Sequence, residues 1–169
     1  MMPASSNAIM MTVKGGFIAF SLFAALILNM LPWSGFWLML RPDFLALAVV
    51  YWCVYHPGRL GFGAMWALGL VMDVSDATLF GQHALAYIVL LYLVIHLHRR
   101  ILMFGIKHQV AHLFGMLLVM QLIMLLVRKV AGADFPGVDY FMPSVTGALL
   151  WPLICRILQW PERRRPEPV

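Results

Sequence analysis

The sequence predicts an all-α integral membrane protein, a six-helix transmembrane bundle with its N- and C-termini cytoplasmic. Three observations carry that expectation. Hydrophobic residues make up 63% of the 169-residue chain and charged residues 11%. No Asp, Glu, Lys or Arg interrupts Gly15–Leu40, Ala77–His98 or His108–Val127, and each run is long enough to cross a hydrocarbon core of about 30 Å as a helix. The runs are also apolar all round, so in so short a chain lipid is what covers them.

The spans follow in order. The first is expected at about residues 16–31. Lys14 before Phe17–Leu31 has the charge and length of a signal peptide. No small-x-small cleavage site follows, however, and the next residues are Pro32-Trp33, so a retained span is expected. Phe36-Trp37-Leu38-Met39-Leu40 is too short to cross and is expected along the outer interface, with Trp33 and Trp37 in the aromatic belt. The second span, about 44–55, follows Arg41-Pro42-Asp43. Pro42 favours a helix start, and Asp43 would sit at the positive end of the helix dipole. His56-Pro57-Gly58-Arg59 makes the turn into a third span at about 60–74. Fusing Phe44–Asp73 into one helix would run it through Pro57 and make it far too long for one crossing. Spans at about 83–98, 108–127 and 142–159 complete a membrane domain over residues 16–160. A cytoplasmic N-terminal segment (1–15) and a basic, Pro-rich cytoplasmic tail (161–169) flank it.

Orientation follows from the basic residues. With the N-terminus inside, Lys14, Arg59, Arg99, Arg100, Lys107, Arg156, Arg163, Arg164 and Arg165 fall on the cytoplasmic side, and only Arg41, Arg128 and Lys129 fall outside. The net charge of +5 is thus a topology signal, since the arginines are confined to membrane edges and not gathered into a nucleic-acid surface. Arg99 and Arg100, and Arg163-Arg164-Arg165 beside Trp160-Pro161, are expected as interfacial anchors, each contact to an anionic headgroup worth about 1 kcal/mol.

Few residues carry chemistry. Asp73 lies about 20 Å along the third span, on a helical stripe with Gly69, Trp66 and Phe62. An acid there either serves a transport path, pairs inside the bundle, or caps a helix that ends early. Arg41 stands outside against the charge trend, so it either faces the headgroups or is held by an ion pair; Asp73 and Asp76 are at similar depth, and Arg41–Asp73 is the pair then expected. His96, His98, His108 and His112 could in principle meet a Zn²⁺, but Arg99, Arg100 and Lys107 beside them would repel it. Cys53 and Cys155 have no Cys-x-x-Cys spacing and are expected as packing residues. Gly63…Ala67 and Ser21…Ala25 have the small-residue spacing that permits close helix contact. No His-Glu-x-x-His, Gly-x-Ser-x-Gly, P-loop or Gly-x-Gly-x-x-Gly is present, so neither an enzyme nor a cofactor or metal site is expected.

Leu31-Pro32-Trp33, Arg41-Pro42-Asp43, Tyr51-Trp52, His56-Pro57-Gly58-Arg59, Gly69…Asp73 followed by Gly81, and Gly147-Ala148-Leu149-Leu150-Trp151-Pro152 occur in an order and spacing that resembles the MreD family of bacterial rod-shape determination, over about residues 24–160. Where relatives often carry Ser-Gly after the span acid, this chain has Ser75-Asp76. The resemblance implies a non-enzymatic scaffold of the cell-wall elongation machinery that binds MreC. It further implies direct or indirect links to RodA, a class B penicillin-binding transpeptidase and MreB. Arg41, Pro42, Asp43, Gly69, Asp73, Asp76, Trp151 and Pro152 are then the structural or interaction candidates. Trp151-Pro152 is expected to kink or end the last span and so shape a face for a neighbour. The family's likeness to the substrate-binding subunits of energy-coupling-factor transporters makes a small-molecule or lipid-precursor transporter the alternative.

Overall fold

The structure, a computed structural model, describes residues 15–163. Seven α-helices form in chain order: α1 (Gly15–Met30), α2 (Phe36–Leu40), α3 (Phe44–Tyr55), α4 (Phe62–Ser75), α5 (Gln82–Met103), α6 (Ile106–Val130) and α7 (Met142–Arg163), with one 3₁₀ turn at Val138–Phe141. Among the described residues there is no strand. Six principal helices alternate in direction and α2 lies between the first two, as the apolar runs predict. Four stretches are long and apolar enough to cross a membrane: Phe36–Tyr55, Gln82–Met103, Ile106–Val130 and Val138–Trp160. Helices α1 and α4 are apolar but shorter.

Helix α3 is the centre. Its residues from Leu45 to Val54 are all buried, a continuous run with no polar face. That is the pattern of a helix surrounded by others, and α3 packs on α1, α5 and α7. Helix α4 lies on α5, which packs on α6, and α6 packs on α7. The outer surface is the reverse of a soluble protein's. Phe20, Phe23, Phe36 and Trp37 are each more than half exposed, and α5, α6 and α7 expose Tyr92, Leu126 and Leu149 as well. Meanwhile Asn29, Asp73, Gln82, His83 and Ser144 are buried. So much exposed apolar surface would be a liability in water and is what lipid requires.

Helices α5 and α6 outrun the apolar stretches that announce them, because Arg99, Arg100 and Lys107 are taken into the helices and are exposed at their ends. Long basic side chains at a helix end can reach the headgroups while the backbone stays helical. Helix α7 does not end at Trp151-Pro152, the second of the two outcomes expected there. It continues through Pro152 to Arg163 without ending, since one lost backbone bond is tolerated where the flanking turns are held by neighbours. Trp151 is turned into the core, 1% exposed, and its Nε1–H donates to Gln109 Oε1 at 3.2 Å. Its ring therefore faces the interior, and Pro152 is half-buried.

The small-residue pairs divide. Ser21 and Ala25 are buried against α3, where Trp52 Nε1 donates to Ser21 Oγ at 2.8 Å. Gly63 and Ala67 face outward, as do Trp66 and Phe62 of the expected stripe. Gly69 is different. A Cβ there would overlap the backbone of His83 and Ala84, so α4 and α5 touch main chain to main chain at that point. Gly147 plays a lesser part on α7, where a Cβ would come within 2.9 Å of Leu117 Cδ1 and 3.7 Å of the buried Pro42. Gly69→Leu is thus expected to destabilise the bundle by at least the ~1–3 kcal/mol typical of overpacking, read as a lower midpoint of thermal unfolding in detergent. Gly63→Leu, with open space at the site, is expected to leave the midpoint within about 0.5 kcal/mol of the parent's.

Candidate functional site

The ends of α1 and α4 and the starts of α3 and α5 meet at one end of the bundle, and nearly every buried polar group outside the α6–α7 contact lies there. The reason begins with backbone chemistry. A helix start leaves N–H groups without partners, and at membrane depth no water takes them. Helix α5 begins after Gly81, which holds φ +95° and has no side chain to cap with. The cap comes from α4. Asp73 Oδ2 accepts from Gly81 N–H at 2.8 Å, and Asp73 Oδ1 accepts from His83 N–H at 2.7 Å. The same Oδ1 accepts from His83 Nδ1–H at 2.9 Å and from the Thr78 hydroxyl at 3.2 Å. Asp73 is 1% exposed. Removing a carboxylate from water is costly, but four donors and the positive end of α5 offset it. Asp73 thus pairs inside the bundle, while α4 runs on to Ser75 and does not end early at the surface with Asp73 as its cap; the helix that Asp73 caps is the following one.

Asp43 does the same for α3. It is the N-cap residue, with Pro42 just before it, and its Oδ1 accepts from Ala46 N–H at 2.9 Å. The carboxylate also receives Asn29 Nδ2–H at 2.9 Å and the Tyr87 hydroxyl at 2.7 Å. Asn29, 2% exposed, completes the junction by accepting Phe44 N–H on its Oδ1 at 3.0 Å. One carboxylate and one carboxamide therefore join α1, α3 and α5.

The expected Arg41–Asp73 pair is not formed. Arg41 Nη2 instead donates to both oxygens of Asp76, at 3.2 and 3.1 Å, and its Nη1 donates to Asn29 O at 2.6 Å, at the end of α1. Asp73 is already saturated by the start of α5, and the guanidinium takes the next acid one turn along, at the C-cap of α4. His83 lies between the two acids, its Nε2 3.8 Å from Asp76 Oδ2. Asn29, Thr78, His83 and Tyr87 were not singled out from sequence as partners. The signal for them was indirect: a polar residue near the end of the first span, and a Gly-started helix with no local cap.

A cleft of about 330 Å³ opens beside this cluster, bounded by Arg41, Asp76 and His83 on one side and by Arg128, Asp139 and Tyr140 on the other. Its remaining wall includes four methionines, Met39, Met72, Met120 and Met124. On the far side Gln121 ties α6 to α7, with Ser144 donating to its Oε1 and its own Nε2–H donating to Tyr140 O at 3.1 Å.

The expected anchors are distributed as follows. Trp33 donates Nε1–H to Leu28 O at 3.1 Å and stacks on Phe44, while Trp37 is 65% exposed on α2. Arg99 and Arg100 are exposed at the end of α5. The cluster expected at Arg163 falls at the last described residue, and Arg164 and Arg165 lie outside the described residues. His96, His98 and His112 each donate a ring N–H to a carbonyl of their own helix, at 2.6–2.8 Å.

Asp73→Ala would strand four donors in the bundle and is expected to cost about 3 kcal/mol or more, measured as loss of a monodisperse folded species in detergent. Arg41→Ala is expected to cost about 1.5–3 kcal/mol, the range for hydrogen bonds to charged groups. The exchange Arg41→Asp with Asp76→Arg is expected to recover part of the stability lost in either single change. Arg41→Asp with Asp73→Arg is expected to recover none.

Comparison with known proteins agrees with this architecture. The sequence profile of the family described as rod shape-determining protein MreD matches residues 10–160. The Rod shape-determining protein MreD of Haemophilus influenzae is 26% identical over 137 residues, covering 80% of this chain and 83% of that protein. No solved structure matches the chain. With the profile extending over nearly all of a helical membrane bundle, the chain belongs to the MreD family of rod shape-determining proteins.

Proposed function

We propose that this protein is a non-enzymatic scaffold of the cell-wall elongation machinery in the bacterial inner membrane, where it binds MreC and helps maintain rod shape. RodA, a class B penicillin-binding transpeptidase and MreB are then reached directly or indirectly through that assembly, with surrounding lipids as further contacts. The placement of the basic residues supports cytoplasmic termini, which turns the Arg41–Asp73–Asp76 cluster and its cleft toward the outer side.

The observation that carries this reading is the cross-tying of helix ends around the cleft. Asp73, Asp43 and Arg41 bind groups from α1, α3, α4 and α5 to one another. A rigid rim of this kind can present the exposed α2 and the loops beside it in a fixed arrangement to a neighbour's membrane-proximal segment. Binding to such a rim is a matter of preorganised contacts and needs no reacting group.

The transporter alternative draws on one feature, the convergence of polar side chains on a cleft of small-molecule size. Those groups gather at the helix ends, whereas carriers of known design place them at the midplane between broken helices.

Purification of the tagged protein from native membranes is expected to bring MreC with it in fixed stoichiometry, and loss of the gene is expected to round the cells. Variants at Asp73 that still accumulate in the membrane are expected to restore rod shape poorly. Recovery of the protein free of MreC, combined with saturable uptake of a small molecule into vesicles, would replace the scaffold with the transporter.

A further inference from the structure

Most polar groups at the cleft are used within the chain, but four are not. Gln82 lies on the cleft wall, where its carboxamide makes no hydrogen bond to a described residue and opens onto the hollow. The Tyr140 hydroxyl is buried at the same cleft and is likewise unpartnered. Arg128 is half-buried, rests its guanidinium 5.9 Å from the Tyr140 ring centroid and pairs with no described carboxylate. Asp139, on the same side of the cleft, pairs with no described cation. Buried polar groups are nearly always satisfied, so the unpartnered Tyr140 hydroxyl, behind a hollow onto which the Gln82 carboxamide opens, marks a wall that a bound group would complete. Gln82 and Arg128 also line an adjoining hollow of about 510 Å³ that runs toward Gly132 and the α6–α7 loop, extending the site along the surface.

The chemistry of the lining selects the occupant. Two arginines and three aspartates bound the cleft, a balance that disfavours a phosphate or other free anion. A carboxamide is matched best by a peptide group, which returns one donor and one acceptor. Arg128 offers a planar fork to a carboxylate. The four methionines supply the soft, adaptable wall that recurs at surfaces binding peptide segments of irregular shape. We infer that this cleft receives the membrane-proximal stretch of a partner polypeptide, with a main-chain peptide group on Gln82 and an acidic side chain on Arg128. The inference rests on the scaffold reading and deepens it by naming the contact and the partner's chemistry.

Two substitutions separate this role from a structural one. Gln82→Met removes a carboxamide that makes no bond within the chain, so the isolated protein is expected to keep or raise its midpoint of thermal unfolding. Arg128→Ala gives up only the ring contact and is expected to leave the fold intact. The test places a photoreactive benzophenone amino acid at Met124, on the cleft wall, and separately at Leu153, on the apolar face between α1 and α7. Illumination is carried out in native membranes and attachment points are mapped by mass spectrometry. From Met124 the expected adduct is a polypeptide, joined immediately beside an apolar span and near an Asp or Glu. Its yield falls about tenfold with Gln82→Met or Arg128→Ala, the loss of one good polar contact in a desolvated site. Adducts from Leu153 are expected to be unaffected by either change. Phospholipid adducts alone from Met124, no adduct, or a yield indifferent to both substitutions would overturn the inference. If MreC still co-purifies in those cases, the scaffold reading survives without the cleft; if MreC does not co-purify at all, the scaffold reading itself has failed.

Discussion

The capture of the start of α5 by Asp73 is the constraint on which the rest of this bundle hangs. In lipid, first-turn amides cannot be left to solvent, and Gly81 supplies no cap of its own. The acid that meets them must come from a neighbouring helix at contact distance, and the bare backbone at Gly69 allows that approach one turn earlier. Once α4 and α5 are joined there, His83 falls between Asp73 and Asp76, and Tyr87 falls one turn further along, against Asp43. Arg41 and Asn29 then draw in α1 and the start of α3.

The arrangement also explains why α3 can be wholly apolar yet fixed in place. A featureless hydrophobic cylinder has little to set its depth or rotation, because its contacts in lipid and in protein are alike. Asp43 at its start and Ser21 against Trp52 near its far end give it two polar bearings. Between those points, packing alone suffices.

The helices were legible in the sequence because charge-free length is a direct physical requirement for crossing lipid. Their ends were less so: Arg99 and Lys107 read as boundaries, yet basic side chains can reach the interface from within a helix. Gly69 and Asp73 could be placed on one face by their spacing of four. Arg41's partner could not be chosen that way, since Asp73 and Asp76 lie three residues apart at nearly one depth. The choice was made by amides of Gly81 and His83, which no reading of α4 by itself contains. Gln82, Arg128 and Tyr140 come together from three separate segments, and nothing local to any of them announces it. Trp151's place was hidden for another reason. A tryptophan beside a proline suggests a kinked or ended helix, and says nothing of the Gln109 carboxamide on α6 that gives the ring nitrogen a partner in the interior.

The helices differ in reach. Helix α4 has 14 residues, about 21 Å of rise, against 22 in α5 and 25 in α6. A hydrocarbon layer of about 30 Å is therefore expected to thin by several ångströms where it meets this short helix. Such a dent carries an elastic cost that grows with its perimeter. Two proteins that each indent the leaflet lower that cost by sharing one depression, so this molecule's outline by itself biases it toward company.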